Sequence, residues 1–541
     1  MRSWSIALLF ALGCGTNAAG GADDAPPTDG HPGGDADPCE DPADCPTDSG
    51  TFVSAMTGAE SNPGSRAMPF RTIAAGMAHA KALGGAQVVF VAQGDYREKV
   101  TLAEGIDLNG GYQCNPMSCT WSRDIAMFTA TITNQDFEGV LAPPGVSSVT
   151  LLSGFTILGM GGVPPTAPGS VGVTISGSAP TLRGNKIIGG NVTGGGATSA
   201  DRSIGVAVRG TGSNIVAIEN NEIIGGSGVG LSAAISLDNA GGVNSAATVT
   251  ANVLRSGPAR RSDGISAFGA GPGTVIANND ITSGNSSGGS SNGIETSSPM
   301  VVTGNRINAD APMVGTCTQT NLWCAGITSY SATLAITNNV IYGPKGFRTA
   351  AVFLTELEAP AGEIVLSSNY LNGGGSGGNV SGTTRNESAG VVVSIGQCNN
   401  CGLKGVVGRV RNNIIDGGIN LNRYGGREDP TQQKTARLSV LDANDIVFST
   451  VLPNRNDVLY RQVSSLGTPT DIKSLSFLNQ MTAPPAQSNE SDDPLLDSTW
   501  HIAAQSPCIN AGLPTDSPGT DFDGDLRPLA GGYDIGPDER P

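Results

Sequence analysis

Aromatic residues are only 5% of the chain and charged residues only 14%, where ordinary globular domains carry about a quarter charged. So few rings exclude a thick core built on bulky side chains. So few charges mean that Ser, Thr, Asn and Gly must cover the surface. Basic residues are the scarcer sign, 30 Lys and Arg against 47 Asp and Glu, for a net charge of −17. That argues against nucleic acid as a partner, because phosphate contacts need clustered cations. Histidine occurs only at His31, His79 and His501, and no Ser-His-Asp set, P-loop or dinucleotide fingerprint is visible. Glycine runs such as Gly373 to Gly378 lead into no helix and read as loops, not phosphate cradles. No helical stripe separates the short strand-like runs, which excludes a doubly wound sheet. The apolar run from Trp4 to Leu12 is too short to span a bilayer.

What is present is glycine, 78 of 541 residues, and a repeated phrase of Asn, any residue, then Ile, Val or Leu. It begins at Asn185, Asn221, Asn252, Asn279, Asn305, Asn339, Asn369, Asn413 and Asn444, in steps of 26 to 44 residues. A step of that size is one supersecondary unit of a solenoid. A second phrase, a small residue followed by Val or Ile, opens each unit: Gly172-Val173, Gly205-Val206, Ala234-Ile235, Gly264-Ile265, Gly293-Ile294, Gly326-Ile327, Ala351-Val352 and Gly390-Val391. Around it, apolar and polar residues alternate with strand periodicity over runs of four to six residues. These features predict an all-β chain wound as a parallel β-helix, each coil about 4.8 Å above the last. The repeated Asn has two mechanical readings. It tolerates the left-handed backbone of a tight turn, and its side chains on successive coils can hydrogen-bond as a ladder. The competing reading is that these Asn residues line a binding groove.

Residues 1–14 combine a basic start, a short apolar run and a small residue before Cys14, a secretory signal. Ala11-Leu12-Gly13-Cys14 resembles the lipobox of bacterial lipoproteins, which implies a diacylated Cys14 and a chain exported to the outer membrane or cell surface, held there by lipid alone. Simple secretion with an incidental Cys is the alternative. Residues 15–50 hold nine acidic residues, many Gly and Pro, and no Lys or Arg, and read as a disordered, self-repelling tether. Residues 51–113 are expected to form the N-terminal cap and first coils, 114–451 the repeats, and 452–541 the last coils and a closing segment. The cysteines fit an oxidising compartment. Close neighbours suggest local disulfides at Cys39/Cys45, Cys114/Cys119, Cys317/Cys324 and Cys398/Cys401, with a metal site as the alternative at Cys398/Cys401. Cys508 is left over.

In residues 51–113, Phe70, Ile73, Ala74, Met77 and Ala80 recur at helical spacing before Gly84-Gly85. A strand from Gln87 to Ala92 follows, then Gly94-Asp95-Tyr96-Arg97-Glu98 and Leu108-Asn109-Gly110-Gly111-Tyr112. This series resembles the N-terminal region of bacterial right-handed parallel β-helix proteins of the pectin-lyase-like superfamily, of DUF1565 type. The resemblance implies that the short helix plugs the open end of the coil. Ser506-Pro507-Cys508-Ile509-Asn510-Ala511-Gly512, Asp521-Phe522-Asp523-Gly524-Asp525-Leu526-Arg527-Pro528 and Asp534-Ile535-Gly536-Pro537-Asp538-Glu539 resemble the endings of many secreted bacterial β-helix proteins.

β-Helix lyases and hydrolases need paired carboxylates or an Arg or Lys base. Arg261-Ser262-Asp263-Gly264-Ile265 resembles the Asn-Thr-Asp motif of pectin hydrolases, but the Asp-Asp pair and Gly-His-Gly of that family are missing, so Asp263 reads as a turn residue and no catalytic residue is assigned. Arg423, Tyr424, Arg427 and Glu428 form a charged cluster able to grip a sugar or to stand as a solvated loop. Asp521, Asp523 and Asp525 could bind calcium, the one cofactor considered, or stabilise a turn with Arg527. The expected function is a surface-anchored, non-catalytic β-helix with a structural, adhesive or weak glycan-binding role, its partner a polysaccharide or cell-envelope glycan. The alternative is a polysaccharide lyase or hydrolase acting on uronate-type glycans. A cleft with two carboxylates and an Arg or Lys on neighbouring coils of one face would favour the enzyme.

Overall fold

The computed structural model describes residues 49–540 except 135–137, 162–168, 193–200, 229, 310–315, 318–321, 332, 356–363, 375–386, 396–407, 424–437, 449–457, 464–468, 483 and 530. Among these, three long sheets of 14, 13 and 12 strands run the length of the molecule. The chain visits them in rotation: Thr181–Arg183 lies in the 14-stranded sheet, Lys186–Ile188 in the 12-stranded one and Arg202–Arg209 in the 13-stranded one. Each strand pairs in parallel with its counterpart one coil on, as Ile187 with Ile223 and Val206 with Ile235. The fold is a right-handed parallel β-helix. The last pair of the 13-stranded sheet, Tyr460–Val463 with Pro469–Ile472, is antiparallel.

Alternate residues fill the interior with a continuous column of Ile, Val, Leu and Ala, including Ile187, Ile223, Leu254, Ile281 and Ile307. The small residue of the second phrase sits inside its strand, where the pairing passes from Val171 to Val173 and skips Gly172. A Cβ on Gly172 would stand 2.6 Å from Ile187 Cγ2 and 2.8 Å from the Gly205 carbonyl oxygen. Larger side chains are therefore barred from this position.

The repeated Asn residues form a ladder. In Asn221 the backbone N–H donates to Asn252 Oδ1 (2.9 Å), and Nδ2 lies 3.0 Å from the same oxygen and 3.0 Å from the Leu182 carbonyl oxygen of the preceding coil. The pattern repeats from Asn185 to Asn444 and continues through Asn489 to Asn479. The left-handed turn residue is not the ladder Asn, as one reading of the sequence had it, but its predecessor. Asn220, Ala251, Asn278, Asn338, Ser368, Asn412 and Ala443 all have φ between 50° and 57°. That residue turns the corner, and the turn aims the next side chain along the axis.

Helix α1 (Ile73–Leu83) follows Thr72, whose side chain accepts from Ala75 N–H. The Glu98 carboxylate takes the N–H groups of Ile73 and Ala74, both at 2.8 Å, a favourable charge for a helix N-terminus. Ile73, Met77 and Ala80 are buried with Val53 and Val89 of the first coils. No helix among the described residues is long and apolar enough to cross a membrane.

The closing segment returns along the outside of the coils. Ile502, Cys508 and Ile535 pack on Val340, Tyr370 and Ile414, which project outward from the 12-stranded sheet. Asn412 exchanges side-chain hydrogen bonds with the Leu513 backbone, and Asn338 Nδ2 reaches the Thr520 carbonyl oxygen at 2.6 Å. We call residues 490–540 the strap.

Candidate functional site

In the 13-stranded sheet, Val206 and Val208 point into the core, so Ala207 between them faces outward. Ile204, in register with Asp263 and Asn292, packs with Ala207 outside that core, which places Asp263 and Asn292 on the outer face. The equivalent positions on flanking coils are apolar: Val171 and Ile204 pack with Ala207 on one side, and Ala325, Ala350 and Ala389 with Trp323, Phe353 and Val392 on the other. Asp263 and Asn292 thus interrupt an otherwise apolar row, whereas the row of Glu295 also holds Thr174, Ser236, Ser266 and Thr328. Asp263 pairs in register with Asn292, and Ser266 with Glu295.

Asp263 and Glu295 are both buried, at 0% and 4% exposure. Arg261 bridges them, its Nε 3.0 Å from Asp263 Oδ2 and 3.3 Å from Glu295 Oε2. Asn292 Nδ2 lies 3.2 Å from Asp263 Oδ1 and 3.3 Å from Glu295 Oε2. The Tyr330 hydroxyl donates to Glu295 Oε1 at 3.3 Å. The Arg261 guanidinium stacks 4.9 Å from the centre of the Phe268 ring. Burial, then the negative charge of Glu295, push the Asp263 pKa well above the usual carboxylate range, against the opposing pull of Arg261. Two carboxyls beside one guanidinium leave an excess of negative charge, which a low-dielectric site opposes.

The reading of Asp263 as a turn residue is therefore corrected: it lies inside the strand Arg261–Ala267. Asp before Gly suggests a turn, but here both Asp263 and Gly264 stay within the strand. The pair was missed because its members meet only across coils. Asn292-Gly293-Ile294 repeating Asp263-Gly264-Ile265 with a polar residue in place was the available signal.

The other expected site residues are dispersed. Arg423 ends the strand Ile419–Arg423, paired with Ile395; its side chain, and Tyr424, Arg427 and Glu428, lie outside the described residues. So do Cys14, Cys39, Cys45, Cys398 and Cys401. Disulfides join Cys114 to Cys119 and Cys317 to Cys324, and Cys508 is free and buried. Asp521 Oδ1 accepts from the N–H groups of Asp523, Gly524 and Asp525 at 2.8–3.0 Å, and its Oδ2 from Glu539 N–H at 3.0 Å. Asp523 points instead to His501 Nε2, 2.9 Å away. His501, Asp523 and Asp538 are the described residues with three donor atoms close enough for one metal ion, all within 4.8 Å. Burial would lower the His501 pKa, but the charges of Asp538, Asp523 and Asp497 outweigh it and raise it.

No family model matches the chain, and no curated protein matches it. Solved structures that resemble it include the Dettilon tailspike protein gp208, at 12% identity and a TM-score of 0.38 over 74% of this chain and 66% of that one. A complex of XylC with xylose gives 12% and 0.37 over 90% and 98%. The tailspike gp49 of Acinetobacter baumannii bacteriophage Fri1, a capsular polysaccharide depolymerase, gives 10% and 0.27 over 80% and 66%.

Proposed function

We propose that this chain is a polysaccharide-acting β-helix whose acid–base centre is the Arg261–Asp263–Glu295 cluster on the outer face of the 13-stranded sheet. The observation that carries this reading is the buried carboxyl pair on adjacent coils, held by the same arginine and by the same Asn292 amide. Such a pair is costly to bury, and apolar side chains of similar volume serve stability as well or better. Neighbouring coils use Ala233 and Ala325 at the same register. A departure from the apolar pattern without structural gain is where function is expected. Asp263 would hold the proton to be delivered to a leaving oxygen, Glu295 would receive one, and Arg261, with a third of its side chain exposed, would meet the polymer first.

The experiment is a degradation screen over neutral, amino and uronate polysaccharides, with reducing ends and unsaturated ends both measured. Unsaturated products would mark a lyase, and reducing ends alone a hydrolase. Asp263→Asn and Glu295→Gln should each lower turnover about 10²- to 10⁴-fold while leaving circular dichroism unchanged. Turnover unaffected by both substitutions would remove the assignment.

A second reading, glycan binding without turnover, rests on the complete burial of Asp263, and binding with no product from any polymer would select it. In either reading we infer from residues 1–50 that the protein is exported and held at a bacterial surface through lipid on Cys14, testable by mass spectrometry of the mature N-terminus.

A further inference from the structure

Where the strap crosses the 12-stranded sheet it leaves a groove of about 730 Å³, within the range of small-ligand sites. One wall is the sheet, with Tyr342 and Tyr370 on adjacent coils, their ring centres 5.5 Å apart. The other wall is the strap, from which Trp500 reaches across so that its Nε1 donates to the Tyr342 hydroxyl at 3.2 Å. Asp492, Asp493 and Asp497 line the same groove, all exposed, and no Lys, Arg or His is among its lining residues.

This combination selects a class of ligand. Aromatic faces offer flat apolar area and attract cations through their negative π-faces. Carboxylates accept charge-assisted hydrogen bonds from hydroxyl and ammonium groups. An anionic sugar would meet like charge on the rim with no compensating cation. A simple alkylammonium would use one carboxylate and leave the others idle. A pyranose bearing a free amino group uses all the parts: its C–H face on the half-buried rings of Tyr342 and Trp500, which Tyr370 backs from below, its hydroxyls and its ammonium on the aspartates.

We propose that this groove is a binding site for amino-sugar units of a cationic glycan. It stands on a different sheet from the Asp263–Glu295 pair and does not depend on the acid–base reading. It does go further than that reading, because it names a glycan class opposite in charge to uronates.

The test is titration of the full chain with three tetrasaccharides, of glucosamine, N-acetylglucosamine and galacturonate, followed by calorimetry and by tryptophan fluorescence. The glucosamine tetramer should bind tightest, the acetylated one about tenfold more weakly for loss of the cation, and the galacturonate tetramer should not bind. Trp500→Ala should abolish binding. The double variant Asp492→Asn, Asp493→Asn keeps hydrogen-bonding capacity and spares the packing under Trp500. It should erase the preference for the free amine while the acetylated tetramer still binds, so the proposal stays exposed to test even if the Trp500 variant fails to fold. Binding of galacturonate as tight as that of glucosamine, or glucosamine affinity unchanged in the double variant, would overturn it. Loss of the fluorescence change in Trp500→Ala reports this groove and loss of turnover in Glu295→Gln reports the other site, which separates failure at one from failure at the other.

Discussion

In the coils from Asn185 to Asn305 the residue after each ladder asparagine is Lys186, Glu222, Val253, Asp280 or Arg306; in the coils from Asn339 to Asn413 it is Val340, Tyr370 or Ile414. This position faces outward on the 12-stranded sheet. In the first stretch it carries ion pairs across coils, Lys186 with Glu222 at 2.8 Å and Arg306 with Asp280 at 2.6 Å, all partly exposed. In the second it is buried beneath Ile502, Cys508 and Ile535 of the strap. Backbone, ladder and core are the same in both. One side chain per coil decides whether the face stays wet or takes a second layer, each buried aliphatic contributing about 1.5–3 kcal/mol.

The strongest way to break the difference is at Arg527. Its guanidinium lies 3.2 Å from Glu539, and both side chains are fully buried in the strap. Arg527→Met would strand a buried carboxylate and should cost about 3–5 kcal/mol. Hydrogen exchange should then quicken in coils 339–446 and not in coils 185–307; uniform quickening would show that the two stretches are one cooperative unit.

Acidity should also distinguish the two halves. Asp445 lies under the strap, where burial raises its pKa to about 7, with Asp492, Glu490 and Asp493 adding to the rise and the Cys508 thiol opposing it. A carboxyl raised above its unfolded pKa favours the folded state below that unfolded value, and its contribution is lost as pH rises through about 7. The strapped half should therefore weaken by about 2–4 kcal/mol between pH 4 and pH 8, and Asp445→Asn should flatten the profile. A wild-type profile already flat in this window would refute the assignment.

Within the ladder, Asn279→Ala in the bare half and Asn339→Ala in the strapped half each remove the same buried bonds and leave an amide N–H unsatisfied. Each should cost about 2–3 kcal/mol, and equal costs in chemical denaturation would confirm that the ladder is indifferent to the strap. The smallest effect belongs to the wet face. Lys186→Ala should change stability by no more than about 1 kcal/mol, less at high salt.

The ladder was legible in the sequence because it depends on one residue at one place in each coil. Its continuation at Asn489 was not, since Asn489-Glu490-Ser491 lacks the apolar third residue that fills the core. The strap's course could have been inferred from the change to Val340, Tyr370 and Ile414, an apolar row at an outward position. The carboxyl pair could not be assembled without the register, because Asp263 and Glu295 lie on different coils and at different positions along their strands. Local periodicity tells which way a side chain faces; only pairing across coils tells whom it meets.

Every coil must return a single amide to the same line and lay its strands on the three sheets, and the lengths between those strands are free. Steps of 26 residues, from Asn279 to Asn305, and of 44, from Asn369 to Asn413, close with nearly identical bonds of 3.0 and 3.1 Å. The number of residues in a coil can therefore vary while the pitch stays constant.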